Sequence, residues 1–271
     1  MVSRAYQPTV RGDPHSMMLN APEKDDLHKI VVINAKGGSG KTTLATNLAS
    51  YFASIGPPPT LMDYDPQGYS MRWLERRADT WPKIHGIAAY EKILEGTPSF
   101  VKQVWPESRQ VIVDLPAALP PEDIYDYTYD ANSILIPVLP SAIDVHSASR
   151  FIADLLLNAQ IDRRDRQLAV VANRTRQNTR SYRMLMRFLT SLKIPLIAEL
   201  RDSQNYVHAA AEGLGVCELP AYRAKQDLAS IDAIVDWLAQ WRMRRLDAVA
   251  TAGYEHLPGA EVLTPAAKLA R

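Results

Sequence analysis

The segment NAKGGSGKTT, Asn34 to Thr43, lies directly after a short apolar run and directly before a run with helical periodicity. No other part of the chain constrains the fold as much. A phosphate-binding loop needs glycines that turn backbone N–H groups inward, a lysine that reaches the outer phosphates, and a hydroxyl next to that lysine. Gly37, Gly38 and Gly40 supply the turn around Ser39. Lys41 is placed to reach β- and γ-phosphates, Thr42 to ligate Mg²⁺, and Thr43 continues into the helix. The helix N-terminus adds its unpaired N–H groups and positive dipole end, completing a seat for an anion. Ala35 stands where the commonest form of the motif has its first glycine. The bland alternative is a strand-to-helix turn that binds nothing, and the acidic residues downstream weigh against it.

The apolar runs Lys29–Asn34, Thr60–Asp63, Gln110–Asp114, Ser133–Val138, Leu168–Asn173 and Pro195–Leu200 read as buried strands, and Lys83–Ala89 as a weaker one. Helical spacing runs from Leu44 to Ile55 and ends at Gly56. It recurs over Tyr69–Arg77, Ala142–Ala159, Thr179–Leu192, Gln204–Gly213 and Asp227–Leu246. Strands alternating with amphipathic helices predict an α/β P-loop NTPase fold, with a mostly parallel twisted sheet and helices on both faces. Residues 29–246 are expected to form this domain, between a flexible arm (1–28) and a fraying tail (247–271) rich in Ala and Pro. The stripe Ile234, Trp237, Leu238 and Trp241 on the last helix is expected to pack on the sheet.

A chain of 271 residues, 46% hydrophobic and 23% charged, can bury a large core and is not of disordered composition. No stretch reaches the eighteen or so consecutive apolar residues that a membrane span needs. With no signal-peptide pattern at the N-terminus either, a cytoplasmic location is expected. Cys217 is the sole cysteine, which excludes an internal disulfide and a cysteine-ligated cluster built within one chain. The net charge of +1 hides a basic sector: eight arginines against one acid between Arg163 and Arg187. One polyanion-facing surface on an otherwise balanced protein fits that distribution.

Phosphoryl chemistry also needs carboxylates opposite the loop. Asp63 and Asp65 stand at the end of the second strand, two apart and so on one side of an extended chain. Asp114 ends the apolar run QVIVD, a Walker B pattern that suits the metal's water shell. Lys36 is a second cation inside the loop. Repulsion from Lys41 argues against a role in its own loop and for a role across a dimer interface, on the partner's γ-phosphate, as an arginine finger acts in trans.

KGGSGKTT, followed by DYDPQG, VIVDLPA and IPVLPSAIDVHSA, resembles the ParA/MinD family of deviant Walker A ATPases, over roughly Lys29 to Gln240. The likeness is to small ParA-type proteins without an upstream helix-turn-helix domain. The resemblance implies that Lys36 is the signature lysine that crosses an ATP-sandwich dimer, and that Gly37 to Thr43 hold the phosphates. It implies that Asp65 places the hydrolytic water, Asp63 lies in the metal's outer shell, Asp114 is the Walker B carboxylate, and Asn173 contacts adenine. It further implies ATP and Mg²⁺ as cofactors, an ATP-dependent homodimer, and non-specific binding to nucleoid DNA. Slow hydrolysis would be stimulated by a ParB-like or cargo-adaptor protein. The cargo would be a plasmid, a chromosome locus or a protein compartment.

Arg180, Arg183 and Arg187 fall on one helix face and can meet phosphates without reading bases. Arg242, Arg244 and Arg245 end the last predicted helix and can join them; equally, any of these arginines can be a solvated cation. Two other functions compete. MinD-like membrane attachment needs a C-terminal amphipathic helix, and EVLTPAAKLAR is short and broken by Pro265. A ligase-type metabolic enzyme sharing the loop needs an acceptor pocket, for which no inserted domain is evident.

Overall fold

The computed structural model describes residues 27–93, 104–117, 119–128, 130–157, 167–176, 179–192 and 194–241. Seven strands form one sheet in the order β3-β2-β4-β1-β5-β6-β7, every neighbouring pair parallel. They are β1 (His28–Val32), β2 (Thr60–Asp63), β3 (His85–Ala88), β4 (Gln110–Asp114), β5 (Ser133–Val138), β6 (Gln167–Thr175) and β7 (Leu196–Arg201). The helices are α1 (Lys41–Ile55), α2 (Tyr69–Glu75), α3 (Ala89–Ile93), α4 (Pro121–Thr128), α5 (Ala142–Leu157), α6 (Arg180–Leu192), α7 (Gln204–Ala211) and α8 (Ala221–Ala239), with a 3₁₀ turn at Val216–Glu218.

Strand alternation divides the core between the two faces. Ile30, Val32, Leu61, Ile112 and Leu135 pack under Leu44 and Leu48 of α1 and Ile231 and Ile234 of α8. Val31, Met62, Val113, Ile134 and Ile136 pack under Ile124 of α4, Ile152 and Leu155 of α5, and Leu185 of α6. A fully buried Leu or Ile side chain contributes on the order of 1.5–3 kcal/mol, so both faces stabilise the sheet. The predicted layers are present. The weak strand over Lys83–Ala89 is real but short and sits at the sheet edge.

Several boundaries differ from the sequence reading. β1 begins one residue early, because His28 is buried, bonded to Ser133 and stacked on Trp241 at 4.5 Å. α8 begins at Ala221 rather than Asp227, started by Pro220, whose ring fixes a conformation that helps helix entry. α3, α4 and the 3₁₀ turn carry too little periodicity to be seen in sequence. The last-helix stripe packs as expected, with Ile234, Leu238 and Trp241 buried. Residues 1–26 and 242–271 lie outside the described residues, and so do most of the proposed arm and all of the tail.

β1 is flanked by β4 on one side and β5 on the other, and the chain reverses its direction of sheet growth there. Ligands of open α/β sheets gather outside the strand ends at such a point. The loop after β1 opens into that crevice.

Candidate functional site

The loop is pinned at both ends. Asn34 leaves β1 with its Nδ2 donating to the Pro137 carbonyl at 2.6 Å, and its Oδ1 accepts the Lys36 N–H at 3.0 Å. Gly38 and Gly40 take φ of 74° and 99°, in the left-handed region that strains any side chain. At Gly40 a Cβ would also lie 1.9 Å from Asn173 Nδ2. α1 starts with no side-chain cap and no acidic residue in its first turn, so its N–H groups and dipole are available to an anion. Ser39 is buried, and its Oγ has no hydrogen-bond partner among the described residues. An orphaned hydroxyl in a cradle of left-handed glycines fits a bound phosphate.

Lys41 opens α1, and its Nζ donates to the Lys36 carbonyl at 3.3 Å. Burial pulls its ammonium below the usual lysine range, while the carboxylates of Asp114 and Asp65 oppose that shift. Thr42 Oγ1 donates to Asp114 Oδ2 at 2.8 Å. That bond spends the hydroxyl proton on the carboxylate and leaves the oxygen lone pairs for a cation, an arrangement that fits Mg²⁺. Among the described residues no group of three or more His, Cys, Asp or Glu side chains could hold a metal. A hard cation held by one hydroxyl, waters and phosphate oxygens needs no such cage.

The parallel register of β2 and β4 sets Asp63 beside Asp114. Asp63 is fully buried. Its Oδ1 accepts the Asp65 N–H, and its Oδ2 accepts the N–H groups of Ser70 and Met71. Burial still raises its carboxyl above the ordinary range, with these N–H bonds opposing. Asp114 is 1% exposed, and burial pushes its carboxyl up to about 7, against the hydroxyls of Ser70 and Thr42. Its Oδ1 has no hydrogen-bond partner among the described residues. Asp65 lies half-buried on the turn that leads into α2, and its Oδ1 accepts the Gln67 N–H at 2.9 Å.

The raised Asp114 carboxyl carries a stability prediction. The folded chain binds this proton more tightly than the unfolded chain, whose carboxyl titrates near 3.8. Ionising it as pH climbs from about 4 to about 7 therefore costs folding free energy. Asp114→Asn is expected to raise the stability of the nucleotide-free protein by about 2–4 kcal/mol at pH 8 and by clearly less at pH 5. Melting curves at the two pH values check this, and an equal gain at both would contradict it.

The Lys36 side chain, about one-third exposed, pairs with Asp144 Oδ1 in the first turn of α5. Ser141 donates its hydroxyl to the other oxygen of Asp144, and its Oγ accepts the Asp144 N–H at 3.1 Å. Asn173, near the end of β6, is buried. Its Nδ2 donates to the Ser39 carbonyl at 2.8 Å, and its Oδ1 accepts the N–H of Arg174, which has a φ of 50°. Asn173 therefore touches the phosphate loop itself.

The fold thus gathers Lys36, Ser39, Lys41, Thr42, Asp63, Asp65, Asp114 and Asn173 around one crevice. Sequence reasoning missed Ser70, Ser141 and Asp144. The last two carry a readable signal, since Ser-x-x-Asp at the start of a helix is a capping pattern. Arg180, Arg183 and Arg187 lie exposed on α6, opposite the buried Leu185 and Leu189. Arg242 and Arg245 fall outside the described residues.

Residues 30–216 match the CobQ/CobB/MinD/ParA nucleotide binding domain. The chain belongs to that family. Among relatives of this nucleotide-binding family, "Maintenance of carboxysome distribution protein A" of Halothiobacillus neapolitanus is 28% identical over 196 residues, spanning 71% of this chain and 88% of the relative. An ATP complex of a Cyanothece McdA variant has the same fold with a TM-score of 0.61, at 17% identity, covering 77% of this chain and 96% of that one. MinD of Pyrococcus horikoshii complexed with Mg-ADP shares it with a TM-score of 0.57, at 16% identity, covering 80% and 98%. The matched domain, named for nucleotide binding, spans the Asn34–Thr43 loop.

Proposed function

We propose that this chain is a ParA-type ATPase that dimerises on ATP, binds DNA without regard to sequence, and positions a cargo under the control of a stimulating partner protein. The observation that carries this reading is the placement of Lys36. It stands at the mouth of the phosphate loop, where its side chain, about one-third exposed, pairs with Asp144 of α5, a contact that a second subunit's phosphate can replace. Ile143, 76% exposed, stands next to Asp144 on the same mouth and offers apolar surface to a second subunit. Within each subunit, the loop N–H groups and Lys41 would hold the phosphates, and Thr42, with Asp114 behind it, would hold Mg²⁺. The bound Mg²⁺ would neutralise charge on the phosphates. Asp65 would orient the attacking water.

Arg180, Arg183 and Arg187 span two turns of an exposed helix face, and dimerisation would present two such faces together. The likeness to a carboxysome-distribution protein supports a protein compartment as the cargo class. Among the described residues no helix is long and apolar enough to cross a membrane.

DNA retention with ATP, with ADP and across a salt series tests the proposal. Six phosphate contacts per dimer would give a salt slope near −5, a loss of about a thousandfold between 50 and 200 mM salt. Replacing the three arginines with Ala should flatten that slope and weaken binding equally on unrelated sequences. Equal retention with ADP, or preference for one sequence, would reject the proposal.

A further inference from the structure

We infer that Ser70 is a positioning residue for the metal-site carboxylate Asp114, an inference that rests on the nucleotide and Mg²⁺ reading above. Ser70 lies in the first turn of α2, directly after the Gly68 turn, and is completely buried. Its hydroxyl does not bond back into its own helix, the usual fate of a helical serine. It reaches a carboxylate 44 residues away, donating to Asp114 Oδ2 at 2.7 Å, while its backbone N–H donates to Asp63 Oδ2 at 3.0 Å. One residue thus gives a donor to each of two buried carboxylates that the β2–β4 register sets side by side. Those carboxylates repel each other, and at Asp114 the nearby Lys41 ammonium opposes that repulsion.

Asp114 Oδ2 accepts from Ser70 and from Thr42, and this leaves Oδ1 as the oxygen without a partner among the described residues. The last torsion of an aspartate is broad and two-fold, so one hydroxyl alone holds the carboxylate plane weakly. Two hydroxyls from different elements, α1 and α2, fix which oxygen is committed to the protein and which is left for the metal's water shell. Outer-shell partners of this kind typically change metal affinity by 10–100-fold when removed. The same bond ties the start of α2, and with it the Asp65 turn, to the metal side of the site.

The test compares wild type, Ser70→Ala and Ser70→Thr in two binding measurements. One is Mn²⁺ affinity of the ADP-loaded protein by electron paramagnetic resonance. The other is affinity for a fluorescent ADP analogue in EDTA. Ser70→Ala is expected to weaken Mn²⁺ binding about tenfold, with metal-free nucleotide affinity within about twofold of wild type. Its ATP turnover should need proportionally more Mg²⁺ to reach half-maximum. Ser70→Thr, which keeps the hydroxyl, should recover most of the Mn²⁺ affinity. Mn²⁺ affinity unchanged in Ser70→Ala would overturn the inference, and so would a loss in Ser70→Thr as large as in Ser70→Ala. Should Ser70→Ala not fold, Ser70→Cys, similar in size but a weak donor, takes its place in the same comparison with the same outcomes. Wild type that binds no nucleotide in either condition would instead remove the underlying reading, a different outcome from either of these.

Discussion

Lys41→Ala should yield a folded protein with at least a hundredfold weaker affinity for ATP. Lys41 is 7% exposed, and burial already makes its ammonium unfavourable relative to water. The carboxylates of Asp114 and Asp65 compensate only in part. A triphosphate arriving at the loop reverses that balance. Two unit charges at 4 Å gain about 4 kcal/mol at an effective dielectric near 20, a factor of about a thousand in affinity. The empty protein gains nothing comparable from this lysine, so its melting temperature should stay within a few degrees of wild type. Calorimetric titration with ATP and Mg²⁺, beside thermal melting without nucleotide, measures both effects. A Lys41→Ala protein that binds ATP within tenfold of wild type would place the phosphate seat elsewhere.

Lys36→Ala should separate nucleotide binding from assembly. The pair between Lys36 and Asp144 is partly exposed, so it contributes only about 1 kcal/mol at most. Exchanging Asp144 for a doubly charged phosphate on a second subunit is favourable by several times that amount in a crevice closed to water. Asp144 keeps its bond from Ser141 whether or not the lysine is present, so its departure leaves no bare carboxylate. The substitution should therefore leave monomer affinity for ATP within a few-fold of wild type. The ATP-dependent dimer should weaken by a hundredfold or more. DNA retention should fall with it, because two arginine faces bind far more tightly joined than apart. Light scattering after gel filtration with a non-hydrolysable analogue reads the assembly directly. A variant that still dimerises would refute the role in trans.

Lys36 also shows how far sequence reasoning reached. Repulsion from Lys41 argued that the second cation acts elsewhere, and its side chain is found paired with Asp144 of α5. The residue that receives it, Asp144, sits 108 positions downstream, and nothing local pairs the two. Asn173 is similar: its position after a strand is readable, but its bond to the Ser39 carbonyl depends on β6 lying two strands from β1. Ser70 had no signal at all. A serine after a Gly-Tyr turn looks like any helix start, and only the Asp63–Asp114 register gives its hydroxyl a partner.

From the residues alone, this chain was committed to buried parallel strands, helices between them and a glycine-rich loop between the first strand and helix. Those features follow from apolar periodicity and from backbone conformations that glycine tolerates, and both are local. Tertiary structure alone decided that β4 lies between β1 and β2, and therefore that Asp114 stands against Thr42 and Asp63, with Ser70 bonded to both carboxylates. Neighbours in a parallel sheet are chosen by how crossover connections pack, through contacts between residues far apart in the chain, and no short stretch of sequence contains that information.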